Sequence, residues 1–129
     1  MESVKDILSA FGFESPLDLD INEAITVEHD SDSQMDLTIE RIGEDQLSVA
    51  HHFVQRGDLM SDPEIVFSIT DDGWIAIEYT QHPYVHRHDK SGLVDTQSFA
   101  DNTWDHNIRN QGYVDLAKEQ AASDDDADD

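Results

Sequence analysis

Ile65-Val66-Phe67-Ser68-Ile69-Thr70-Asp71-Asp72-Gly73-Trp74-Ile75-Ala76-Ile77-Glu78-Tyr79 is a pair of apolar runs around a turn that contains Asp-Gly. Runs rich in β-branched and aromatic residues on either side of such a turn predict a β-hairpin. Simple alternation along the second run sets Trp74 and Ala76 on one face and Ile75, Ile77 and Tyr79 on the other. The approach reads Gly57-Asp58-Leu59-Met60-Ser61-Asp62-Pro63-Glu64. Pro63 biases Asp62 toward extended backbone and enters a strand without needing a ladder hydrogen bond. The sequence therefore predicts a loop from Arg56 to Pro63, a strand from Glu64 and an antiparallel sheet grown from the hairpin.

Upstream, Ala24 to His29, Met35 to Ile42 and Leu47 to Gln55 read as three more strands. In the second, Met35, Leu37, Ile39 and Arg41 alternate with Asp36, Thr38, Glu40 and Ile42, a mainly core face backed by a mainly solvent one. In the third, Leu47, Val49 and Phe53 share one face with His51, and Ala50, His52 and Val54 share the other; apolar side chains on both faces predict a central strand covered by a helix on at least one side. Val4, Ile7, Leu8 and Phe11 fall on one helical stripe. Ser3 is the expected N-cap, with Asp6 completing an acidic variant of the capping box. Gly12 is the expected stop. Leu17 and Leu19 read as a short strand or an extended lead-in.

Downstream, Gln81 to Leu93 has no firm period. A helix is expected from a Ser98 cap to about Asn110, with Gly112 as its stop and a further turn or two over Tyr113 to Glu119. On a regular helical wheel Phe99, Thr103, His106 and Tyr113 gather on one side, with Trp104 and Ile108 nearly opposite. That arrangement places Trp104 and Ile108 against a second surface or a partner. The expected fold class is α+β: an antiparallel sheet of about five strands with an N-terminal and a C-terminal helix packed on it. Residues 1–120 form one domain, and 121–129, ending in Asp124-Asp125-Asp126-Ala127-Asp128-Asp129, form a disordered acidic tail.

The charge is the strongest compositional signal. There are 30 acidic residues against 7 basic ones in 129, a formal net charge of -23. Adaptation of a whole cytoplasm to molar salt is one cause, because salt at about 1 M shrinks the Debye length to about 3 Å. Mimicry of a phosphate backbone, aimed at a basic partner, is the other. Acidic residues occur throughout the chain, which favours salt adaptation without excluding mimicry. No basic patch supports direct nucleic-acid or anionic-membrane binding. There is no cysteine, so disulfides and thiolate zinc sites are excluded. No signal peptide is expected from the first residues, and no apolar run reaches membrane-spanning length, so the expected location is cytoplasmic.

The candidate chemistry is sparse. His82, His86 and His88, with Glu78 or Asp89, carry residue types that bind zinc. The segment contains Pro83 and lacks the His-Glu-x-x-His pattern. His51 and His52 are neighbours on a strand and point to opposite faces, so one belongs at the core edge and the other outside. Asp58, Asp62 and Glu64 are clustered carboxylates that match no calcium-loop spacing, and Asp commonly satisfies turns with its own side chain. No phosphate-binding glycine loop or nucleophile elbow is present. The expectation is a non-enzyme without a cofactor, with Asp58, Asp62, Glu64, Trp104 and Ile108 as candidate partner-binding residues.

The segment Gly57-Asp58-Leu59-Met60-Ser61-Asp62-Pro63-Glu64, the Trp74 to Tyr79 strand, and Trp104, Asn107 and Gly112 as Trp-x-x-Asn-x-x-x-x-Gly carry a resemblance. They resemble a small uncharacterised domain family of plasmids, conjugative elements and phages. The likeness covers roughly residues 47 to 113 and departs from it at the His82 to His88 segment. It implies an accessory protein of a mobile element, here of a halophilic archaeon or its virus. The function expected is binding of another protein, plausibly a basic nucleic-acid-handling one, with anti-defence DNA mimicry as the sharpest form. The alternatives are a histidine and carboxylate metal-dependent protein, and a structural homo-oligomeric accessory protein that uses an apolar patch around Trp104 and Ile108.

Overall fold

The computed structural model describes residues 1–29, 35–55, 58–81 and 85–127, with the side chains of 53–62, 85 and 123–127 outside the description. Six strands form one antiparallel meander in sequence order: β1 (Ala24–Val27), β2 (Asp36–Gly43), β3 (Gln46–Gln55), β4 (Asp58–Thr70), β5 (Gly73–Gln81) and β6 (Val85–His88). The β4–β5 hairpin sits next to the middle of this sheet. Its turn is closed by Thr70, whose hydroxyl accepts from the Asp72 N–H at 3.2 Å and donates to the Gly73 carbonyl at 2.8 Å. Gly73 takes φ +136°, a conformation open to glycine and costly for other residues.

Three findings revise the expected strands. First, the segment predicted as a loop from Arg56 to Pro63 is largely strand, because β4 begins at Asp58 and Gln55 pairs with Asp58. Pro63 lies inside this strand, at a register shift where Ala50 faces Glu64 and His52 faces Ser61. A bulge is one of the few places in a sheet that tolerates a residue without an N–H. Second, β5 contains an extra residue. Phe67 pairs with Ala76 and Val66 with Glu78, so Ile77 is bulged. The bulge resets the alternation and places Tyr79 on the same face as Trp74 and Ala76, not opposite them. Third, β6 makes a sixth strand where about five were expected, in a segment with no apolar period.

Helix α1 (Glu2–Ala10) buries Val4, Ile7 and Leu8 as the stripe predicts. It ends in a Schellman arrangement, with the Phe13 N–H bonded to the Leu8 carbonyl at 2.9 Å and Gly12 at φ +91°. Ser3 is not the N-cap; it lies within the helix. Its N–H and hydroxyl both donate to one carboxylate oxygen of Asp105, at 2.8 and 2.6 Å. The start of α1 is thus tied by a residue more than a hundred positions away. Asp6 pairs with Arg109 at 2.6 Å. Pro16–Asp18 forms a 3-10 turn capped by Ser15, in place of the strand or lead-in expected at Leu17 and Leu19. Arg41 holds that turn. Its guanidinium donates to the carbonyls of Leu19, Leu17, Gly43 and Glu44 at 2.6–3.3 Å.

The C-terminal region is α2 (Val94–Ser98), a π-helical turn (Phe99–Trp104), α3 (Asp105–Asn110) and α4 (Tyr113–Ala127). Ser98 lies in a continuous helical path and makes no cap. Gly112, at φ +90°, breaks the path before α4 as expected. A π turn holds more residues than an α turn, so it rotates everything that follows relative to a regular wheel. Trp104 and Ile108 therefore face the core, at 3% and 0% exposure. α4 runs into the segment expected as a tail from 121.

All helices join the core through one face of the sheet. That face carries the cross-strand rows Val27–Leu37–His51, Ile25–Ile39–Val49–Ile65–Tyr79–Arg87 and Arg41–Leu47–Phe67–Ala76. Its apolar residues, with Val4, Ile7, Leu8, Trp104, Ile108, Tyr113 and Ala117, form the core cluster. The β5 edge beyond β6 is closed without a strand. The Gln97 carboxamide accepts from the Ala76 N–H at 2.6 Å and donates to the Trp74 carbonyl at 3.0 Å. The Leu93 N–H donates to the Ala76 carbonyl at 2.7 Å.

Candidate functional site: the sheet face opposite the helical core

Strand pairing also fixes what stands on the opposite face, because directly paired residues project to the same side. One row is Thr26–Thr38–Ala50–Glu64–Thr80–His86. The next is Ala24–Glu40–Ser48–Val66–Glu78–His88. Asp36 and His52 pair in a third. None of these residues belongs to the core cluster. Ser48, Ala50 and Val66 lie at mid-sheet and are 4%, 2% and 4% exposed.

Polar contacts hold parts of this plate in place. The Ser48 hydroxyl donates to Glu64 Oε2 at 2.6 Å, and the Thr26 and Thr38 hydroxyls meet at 3.1 Å. His86 Nε2 lies 2.7 Å from Glu78 Oε1. Among the described residues in these rows the carboxylates are Asp36, Glu40, Glu64 and Glu78, the imidazoles are His52, His86 and His88, and none is Lys or Arg. The described cations lie elsewhere. Arg41 and Arg87 stand in the helix-side rows, Lys5, Arg109 and Lys118 are on helices, and Lys90 follows β6. The described carboxylates of these rows thus stand with imidazoles and with no described Lys or Arg. The plate offers charge and hydrogen-bond acceptors.

The sequence candidates separate in space. Glu64 lies on this face. Asp58 and Asp62 lie in the first half of β4, and their side chains are outside the description. Trp104 and Ile108 are core residues, which removes the exposed apolar patch expected around them. His86 and His88 share the plate with Glu78, and His82 lies outside the described residues. Asp89 is turned to Ser91, accepting from its N–H at 2.9 Å and its hydroxyl at 2.6 Å. Those two bonds hold its carboxyl below the ordinary value. Among the described residues no group of three His, Asp or Glu converges to hold a metal ion.

His51 and His52 divide as strand alternation predicts. His52 faces the plate. His51 is 5% exposed on the helix side. Its Nδ1 accepts the Trp104 indole N–H at 3.3 Å, and its ring packs 5.2 Å from that of Tyr113. The accepting Nδ1 places the ring proton on Nε2, which is buried without a partner among the described residues. Burial, helped by the charge of His52, pushes its pKa down to about 4. The Tyr113 hydroxyl donates to the Met35 carbonyl, and burial raises its pKa to about 12.

The plate was partly readable beforehand, since Thr38 and Glu40 alternate with the core residues Leu37 and Ile39, whereas simple alternation put Glu78 on the face of Trp74 and Ala76. The register that aligns them into rows was not, because it depends on the two bulges. No helix among the described residues is long and apolar enough to cross a membrane. No curated protein and no solved structure matches the chain. A family model described as a domain of unknown function (DUF6908) matches residues 2–114, and the chain belongs to that family.

Proposed function

We propose that this protein is a non-enzymatic binding module that engages a basic protein through the sheet face opposite the helical core. The observation that carries the reading is the sign of that face. Its rows hold Asp36, Glu40, Glu64 and Glu78 and no described cation. Adaptation to salt accounts for a high overall charge. It does not require the described rows of one sheet face to hold carboxylates and no described Lys or Arg. A surface of single sign steers an oppositely charged partner and rejects like-charged ones. The partner class is a basic, nucleic-acid-handling protein met in the cytoplasm. DNA mimicry against a host defence enzyme is the sharpest form, and an accessory role on a mobile element of a salt-adapted host is the setting.

The test is capture from a lysate of the native host at molar salt, with the wild-type chain and a Glu40→Gln, Glu64→Gln, Glu78→Gln variant side by side. The proposal expects one basic protein to be retained by the wild type, lost from the variant and displaced by duplex DNA. Equal retention by both chains overturns the assignment to this face. Retention that DNA does not disturb overturns the mimicry form alone.

A further inference from the structure

On the helix side of the sheet edge, Tyr79 on β5 pairs with Arg87 on β6. Beside them α2 contributes Asp95 and Thr96, and the π-helical turn contributes Phe99. These residues line a cavity of about 240 Å³. A second cavity of about 260 Å³ adjoins it and shares Arg87, Asp95 and Thr96. Lys5 and Arg109 are paired with Glu2 and Asp6, and Arg41 is spent on carbonyls. Arg87 has no hydrogen bond or ion pair among the described residues. Neither does Asp95, although both line the same space. The other nearby carboxylate, Asp89, is taken by Ser91. The Tyr79 hydroxyl donates to Gln81 Oε1 at 2.8 Å, and Tyr79 lines the cavity.

The contents of the cavity are therefore a guanidinium fork, an uncommitted carboxylate, a threonine hydroxyl and two aromatic rings. A guanidinium fork suits a carboxylate. Asp95 repels a second negative charge and suits an ammonium group. The rings of Tyr79 and Phe99 supply apolar walls, as small-ligand sites commonly do. We infer that this cavity binds a small zwitterion of the α-amino acid class with an apolar side chain. Arg87 holds the carboxylate, Asp95 holds the ammonium, and the side chain lies against Tyr79 and Phe99. The site is separate from the acidic plate and independent of the function proposed for it.

Titration of the full chain with L-phenylalanine, followed by amide chemical shifts in nuclear magnetic resonance, tests this. Shifts are expected in β6, α2 and the start of the π-helical turn. Benzoate and 2-phenylethylamine each carry one of the two charges and are expected to bind about tenfold more weakly or worse. Arg87→Gln is expected to weaken phenylalanine about tenfold. Asp95→Asn should weaken phenylalanine and strengthen benzoate, because it removes an attraction in one case and a repulsion in the other. Both positions are exposed, so unchanged thermal unfolding should confirm that each variant folds. The inference is overturned by absent or misplaced shifts, by benzoate or inorganic phosphate matching phenylalanine, or by Asp95→Asn acting alike on phenylalanine and benzoate.

Discussion

His51 shows how one buried side chain couples this fold to pH. Its neutral ring accepts the Trp104 indole N–H, and its pKa is about 4 in the folded chain against 6.5 as the ordinary value. Between those values the unfolded chain binds a proton that the folded chain refuses. The stability it contributes is full above pH 6.5 and is lost as pH falls toward 4. The span of the shift corresponds to about 3 kcal/mol. Urea unfolding of wild type and His51→Gln at steps from pH 7.5 to 4 should show the gap between the two narrowing, or reversing, as pH falls. A constant gap would mean that His51 titrates alike in both states.

At the scale of elements, the helices and the sheet are joined by a few long-range polar contacts. Asp105 holds both the N–H and the hydroxyl of Ser3, a residue with no exposure. Asp105→Ala leaves two buried donors unsatisfied and should cost about 2 kcal/mol, with partial recovery in Asp105→Asn, read by chemical denaturation. An effect within error would show that another acceptor replaces Asp105. Elements with a clean period were legible before the structure: α1 from Val4, Ile7 and Leu8, and the β4–β5 hairpin from its Asp-Gly turn. Three features were not. Gly57, Asp58 and Pro63 carry loop chemistry, yet a bulge lets the strand absorb Pro63. Val85-His86-Arg87-His88 has too few apolar residues to show an alternation, and pairing with β5 makes it a strand. Trp104 and Ile108 were misplaced because a wheel of constant pitch cannot anticipate a π turn. Glu64 was singled out from its motif. Its place in a row with Thr38, Ala50 and Thr80 depends on registers that no local pattern encodes.

At the scale of the molecule, the formal charge of -23 is distributed over a fold whose core cluster lies on one face of the sheet. Carboxylates on neighbouring strands of the plate repel one another, and raising salt from about 0.1 to 1 M shortens the Debye length from about 10 to 3 Å. The melting temperature of the wild type should rise over that range, and that of the Glu40→Gln, Glu64→Gln, Glu78→Gln variant should rise less. Equal rises would place the relevant repulsion elsewhere in the chain. The most direct measurement of the binding role is a map of amide and methyl shifts when the captured basic protein is titrated into the labelled chain. The expected result is a footprint over Thr26, Thr38, Ala50 and Thr80, with α1 and α4 undisturbed. A footprint confined to the helices would contradict the assignment of the sheet face opposite the helical core as the binding surface.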